Sequence, residues 1–247
     1  MFLKTRGLVL RVTNYNDTDA LLTILTENHG KLTVKVRGLK RKNSPMFAPS
    51  QLLAYSEFTL FENKGFYTVN EAASIELFHA LRTDLEKLSL GTYFVQVAEV
   101  ICQEDMPNPQ LLPLLLNCLY ALSKLSVNPS VIKAVFELRA ACLAGYTPDL
   151  SGCCHCGNSF PDRFNLSLGQ LECFSCSLHT DNGIRMPLNT SVLDTMRYIC
   201  YCEPKKIFSF RIGEDTIQTI SQIAESYLLT QLERGFSALD FYKTLCI

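Results

Sequence analysis

Lys31-Leu32-Thr33-Val34-Lys35-Val36-Arg37 alternates apolar and polar residues without a break. A strand repeats its facing every second residue, so Leu32, Val34 and Val36 share one face and Lys31, Thr33, Lys35 and Arg37 the other. The cations continue into a turn-rich loop, Gly38-Leu39-Lys40-Arg41-Lys42-Asn43-Ser44-Pro45. Upstream, Ala20 to Thr26 reads as a second apolar strand, joined to the first through the hairpin connection Glu27-Asn28-His29-Gly30. Thr5 to Thr13 is a third, expected to place Leu8, Leu10 and Val12 on one face and Val9 and Arg11 on the other. Gln51 to Phe61 and Gly65 to Glu71 complete the set. Five short strands in succession, with no helical period among them, imply a small closed barrel of the OB type.

Such barrels bind oligonucleotides by pairing a basic groove with aromatic stacking platforms. Tyr15 and Phe47 lie in loops beside charge and are the stacking candidates, whereas Tyr55, Phe58, Phe61, Phe66 and Tyr67 are expected mainly in the barrel core. Asp17 and Asp19 sit in the polar loop Asn14 to Asp19, where such residues cap turns. His29 and His79 are expected to be solvated or packed. The chain is nearly neutral, with 23 Lys+Arg against 24 Asp+Glu, but residues 1–45 carry net +6 and the rest net −7. That asymmetry points to an anionic partner at the N-terminal end, nucleic acid first. A solvated basic face is the bland alternative.

From about Ile75 the period becomes helical. Asp84 is placed to cap a helix running to about Glu104, and the prolines at 107 and 109 end it. Further helices are expected over about 110–125, from Asn128 to Gly145, over 191–202 and 213–232, with a shorter one at the C-terminal end. The expected organisation is α+β: a barrel over 1–78, a helical domain over 79–148 and 184–247, and an insert over 149–183.

The insert holds two cysteine pairs, Cys153-x2-Cys156 and Cys173-x2-Cys176, 16 residues apart. Each CxxC aims two thiolates at one point, and an intervening hairpin turning at Gly169 brings the pairs together. This is the spacing of a closed, structural zinc site. Cys154, His155 and His179 are spare donors. Cys102, Cys118, Cys142, Cys200, Cys202 and Cys246 read as small buried hydrophobes. A thioredoxin-type CxxC would need a βαβ setting. A zinc deaminase would need an H-x-E motif, and neither His29 nor His79 is followed two residues on by Glu. No P-loop, dinucleotide fingerprint or nucleophile elbow occurs, so no enzyme is expected. The longest apolar runs are too short to span a bilayer, and the charged start does not read as a signal peptide, so a cytoplasmic location is expected.

Lys4-Thr5-Arg6-Gly7-Leu8-Val9-Leu10, Tyr15 through Asp19, Leu25-Thr26-Glu27-Asn28-His29-Gly30-Lys31 and Val36-Arg37-Gly38-Leu39-Lys40 resemble the N-terminus of the bacterial RecO family. The order of barrel, helices, CxxC–CxxC insert and helices extends the resemblance over nearly the whole chain. It implies a recombination mediator of DNA repair in the RecF pathway that binds single- and double-stranded DNA and anneals complementary strands. It also implies work with RecR and with the C-terminal tail of the single-stranded DNA-binding protein, loading RecA at gaps. By resemblance Lys31, Lys35, Arg37, Lys40, Arg41 and Lys42 would contact phosphates, and Cys153, Cys156, Cys173 and Cys176 would hold structural Zn²⁺. The family's tail-binding pocket lies in its helical domain, and no local motif marks it here. The competing reading is a zinc-ribbon RNA- or protein-interaction module of transcription or translation.

Overall fold

The computed structural model describes residues 1–104, 106–178 and 183–245. His179 and Cys246 lie outside them. By packing, the chain forms two units: Met1–Leu125 with Phe236–Ile247, and Ser126–Gly235.

In the first unit β1 (Phe2–Asn14), β2 (Ala20–Thr26), β3 (Lys31–Val36), β4 (Tyr55–Asn63) and β5 (Phe66–Glu76) close a barrel in the order β1-β2-β3-β5-β4. All neighbours are antiparallel except β3 and β5, which pair in parallel. The OB-type expectation is met. Val9, Leu22, Ile24, Leu32, Val34, Val36, Phe58, Leu60 and Val69 are among the residues that fill the interior. β3 keeps its alternation, with Leu32, Val34 and Val36 buried.

β1 departs from the expected pattern. Leu8, Val9 and Leu10 are all buried, Val9 is the one in the barrel core, and Val12 is exposed. Leu8 and Leu10 are buried without belonging to that core, and the helix Leu85–Ile101 packs on β1. A register shift between Val9 and Arg11 interrupts the alternation beyond Val9. β4 starts later than expected, because Ala48–Ser50 forms a 3-10 turn and Leu53 takes a left-handed backbone (φ 65°). Phe61 and Phe66 are exposed rather than core, whereas Phe58 is fully buried.

Helices α1 (His79–Arg82), α2 (Leu85–Ile101) and α3 (Leu111–Lys124) follow, and α8 (Ser237–Leu245) packs on α2 in the same unit. The Asp84 carboxylate accepts from the Lys87 N–H at 3.1 Å, the expected cap of α2. The second unit contains α4 (Pro129–Leu143), α6 (Thr190–Tyr201) and α7 (Glu214–Leu232), in mutual contact. Its sheet runs β6 (Asp149–Cys153), β8 (Gln170–Glu172), β7 (Arg163–Asn165), β9 (Arg185–Pro187). A short helix, α5 (Phe174–Ser177), follows β8. Fully buried Phe164 meets Tyr227 of α7 edge-on at 5.1 Å, so the cysteine insert is welded to its helices. Packing therefore groups α1, α2, α3 and α8 with the barrel, and α4, α6 and α7 with the cysteine-bearing sheet.

Candidate nucleic-acid interface and metal centre

The loop after β3 is fastened at one end of the barrel. Gly38 has φ 66°, a left-handed conformation that glycine adopts without strain, and its N–H donates to Asp19 Oδ1 at 2.9 Å. The Lys40 N–H bonds the Thr18 carbonyl, and turns close from Arg41 N–H to Gly38, Ser44 N–H to Arg41 and Phe47 N–H to Ser44. Asp19 is thus a loop capper, as expected. The Gly38 N–H and then Lys35 outweigh burial and, with Asn16 and Thr18, hold its carboxyl well below the usual carboxylate range.

The expected phosphate contacts fall into two sets. Lys31 Nζ donates to the Glu99 carbonyl at 3.0 Å, Lys35 pairs with Asp19 at 3.1 Å and lies over the Tyr15 ring, and Lys40 Nζ donates to the Asn16 carbonyl at 2.8 Å. Arg37, Arg41 and Lys42 are exposed and have no ion pair or side-chain hydrogen bond among the described residues. The other N-terminal cations are also paired: Lys4 and Arg6 with Glu57, Arg11 with Glu99. Of the nine cations in residues 1–45, the three unpaired ones therefore gather in or beside one loop. Tyr15 and Phe47 are exposed, as stacking candidates must be.

Near the end of the second unit's sheet, the Sγ atoms of Cys153, Cys156, Cys173 and Cys176 lie within 4.8 Å of one another. Cys153 ends β6, Cys173 follows β8, and Cys176 lies in α5. The Cys156 and Cys173 sulfurs are 3.8 Å apart. Sulfurs each about 2.3 Å from one tetrahedral centre are about 3.8 Å apart, so the spacing fits a four-thiolate ion. The Cys153 N–H bonds the Asn158 carbonyl and the Gly157 N–H bonds the Cys153 carbonyl, which curls the first CxxC into a knuckle. Gly152 is required there, since a Cβ would sit 2.9 Å from the Asn158 carbonyl oxygen.

Burial pushes the Cys153 thiol up, but the N–H groups of Cys156, His155 and Cys173 reach its sulfur and bring its pKa down to about 6. Cys176 is pushed up to about 12 by its contact with Cys156, by burial and by Cys153. One thiolate is thus favoured while its neighbours resist further negative charge, a repulsion that a bound cation relieves. Cys154 and His155 instead group with Glu172, whose carboxylate is already held by Arg185 at 2.6 Å and Asn165 at 2.9 Å. Asn158 is a contributor the sequence reading missed: its amide donates to Cys173 Sγ at 3.3 Å. An amide side chain two residues after a CxxC is too common a feature to have flagged it.

Fold and site together define an OB-type small-barrel protein whose helical part carries four cysteines grouped so that they could hold a metal ion. The profile described as "Recombination protein O N terminal" matches residues 1–78, and "Recombination protein O C terminal" matches 82–240. A DNA repair protein RecO of Acetivibrio thermocellus is 36% identical over 247 residues, covering 99% of this chain and 97% of the relative. Those of Alkaliphilus metalliredigens and Bacillus subtilis are 29% and 27% identical, covering 99% and 92% of this chain and 100% and 88% of the relatives. The chain belongs to the RecO family of DNA repair proteins, and its role lies in DNA repair. No helix among the described residues is long and apolar enough to cross a membrane.

Proposed function

We propose that the protein is a non-enzymatic, DNA-binding recombination mediator. Lys31, Lys35, Arg37, Lys40, Arg41 and Lys42 contact the phosphates of single- and double-stranded DNA, with Arg37, Arg41 and Lys42 the principal contributors. The observation that carries this reading is the gathering of unpaired cations at one loop, since a cation with no internal partner releases the most free energy on meeting a phosphate. Neutralising phosphates also lowers the repulsion between complementary strands, which is the physical basis for annealing. In keeping with its family, the protein works in the cytoplasm with RecR to load RecA at gaps covered by single-stranded DNA-binding protein, whose C-terminal tail it binds. Cys153, Cys156, Cys173 and Cys176 hold Zn²⁺, which ties the knuckle to the hairpin and leaves no open position for chemistry.

The test is anisotropy of labelled single-stranded and duplex DNA across a salt series, with an annealing assay alongside. With about five phosphates neutralised on single strands, log K falls with a slope near −3.5 against log salt. Preference for structured RNA without annealing would overturn this reading in favour of a zinc-ribbon RNA- or protein-interaction module.

A further inference from the structure

The loop that bears the unpaired cations also borders an open surface cavity of about 380 Å³, lined by Leu39, Lys40, Arg41, Asn43, Ser44 and Phe47. Its composition is that of a site for a flat, heteroatom-rich ring. Leu39 is buried and gives it an apolar wall, while Phe47 is 60% exposed and presents an aromatic ring. The Asn43 amide and Ser44 hydroxyl have no side-chain hydrogen bonds among the described residues, leaving donors and acceptors for a ring edge. Asn43 takes φ 60° within the turns that fasten the loop, so the cavity belongs to a defined backbone. Arg41 contributes to the wall, and its side chain lies against Gly38.

A cavity of similar size, about 310 Å³, on the barrel wall makes the contrast. It is lined by Lys4, Glu57 and Glu71, and Lys4 is already paired with Glu57 at 2.9 Å. That site offers an anionic strand no unpaired cation. The loop cavity is lined by one, Arg41, and the other two, Arg37 and Lys42, belong to the same short stretch of chain.

We propose that the loop cavity receives one unstacked base of single-stranded DNA, its ring against Phe47 and its flanking phosphates on Arg37, Arg41 and Lys42. This rests on the reading that the loop binds DNA, and it adds a discrimination. In a duplex the bases are paired and stacked, so the cavity engages single strands while the cations engage both forms. Stacking of a base on an aromatic side chain is sequence-tolerant, because every base has a π-face.

Three labelled probes of one length separate base from phosphate: oligo(dT), the same backbone with abasic sites in place of thymines, and a duplex. The full-length protein binds oligo(dT) more tightly than the abasic strand. Phe47→Ala weakens oligo(dT) binding roughly 5- to 100-fold while abasic and duplex binding stay within about twofold. Phe47→Tyr restores the preference and Phe47→Leu does not. Phe47 is mostly exposed, and unchanged circular dichroism of the variants verifies that their folding is intact. Arg37→Ala/Arg41→Ala/Lys42→Ala weakens all three probes. If Phe47→Ala leaves oligo(dT) unaffected, or weakens all probes equally, the base site falls and the DNA-binding loop stands. If the triple variant binds every probe like wild type, the DNA-binding reading of the loop falls, and the base site with it.

Discussion

The loop from Arg37 to Phe47 and the knuckle from Cys153 to Asn158 are both tight segments held by backbone hydrogen bonds. In the loop, the fastened backbone displays Arg37, Arg41 and Lys42 to solvent without partners among the described residues. In the knuckle, the same economy of backbone brings the sulfurs of Cys153 and Cys156 toward those of Cys173 and Cys176, all within 4.8 Å. Buried charge in the second unit is likewise satisfied internally. Lys133, 4% exposed, sits 3.1 Å from Glu137 and 2.8 Å from Glu225. A surface built for a partner leaves its charges unanswered, whereas a surface built for the fold answers them from within.

The largest effect expected on this contrast comes from the cysteines. Wild-type protein should carry one zinc per chain by elemental analysis. Cys153→Ser or Cys173→Ser should release it, lower the urea midpoint of the second unit and reduce its unfolding free energy by several kcal/mol, since structural zinc contributes about 10–16 kcal/mol in small zinc modules. Metal-free variants with the wild-type midpoint would remove the cluster from the structural side of the comparison.

Next is Lys133→Ala. It strips the cation from two carboxylates, one of them fully buried, and should cost about 3–5 kcal/mol in chemical denaturation. A loss below about 1 kcal/mol would place this triad with ordinary surface pairs.

The third prediction sets paired cations against unpaired ones at equal charge change. Arg37→Ala/Arg41→Ala/Lys42→Ala should make the salt dependence of single-strand binding shallower by about 2 in slope, at about 0.7 per phosphate contact. Lys4→Ala/Arg6→Ala/Arg11→Ala removes the same charge from residues already bound to Glu57 and Glu99, and should leave the slope nearly unchanged. Equal slopes in the two variants would mean that net charge, not placement, governs binding.

The smallest effect is a pH dependence at Asp19. Its folded pKa lies below the ordinary 3.8, so on acidification the unfolded chain takes up the proton first. The stability it contributes is present above about pH 4 and is lost as pH falls below that. Asp19→Asn should therefore melt earlier than wild type at pH 7, with the gap narrowing toward pH 3. A gap that does not change with pH would assign the effect to shape rather than charge.

Much of this molecule is written in local pattern. The alternation of Leu32, Val34 and Val36 announced a buried strand face, and these residues lie in the barrel core. Asp84 announced the start of α2, and the paired CxxC motifs announced a cluster whose sulfurs do converge. These features are readable because strand period, helix caps and thiol spacing are set by neighbours within a few residues.

Other features depend on contacts between distant residues. The bulge after Val9 arises from the pairing of β1 with β2, which no window of β1 alone contains. The exposure of Phe61 and Phe66 depends on where the barrel ends. Asn158 became a donor to Cys173 only when the knuckle met the residues after β8, 15 positions away.

The division of the six candidate cations was equally invisible. Sequence determined that residues 31–42 are basic and that they border a strand. Tertiary structure decided which stay available, by bringing Glu99 to Lys31, Asp19 to Lys35 and Asn16 to Lys40 while leaving Arg37, Arg41 and Lys42 without such partners. The physical reason is that a charge is a property of one residue, whereas its neutralisation requires a second residue that only the folded chain delivers.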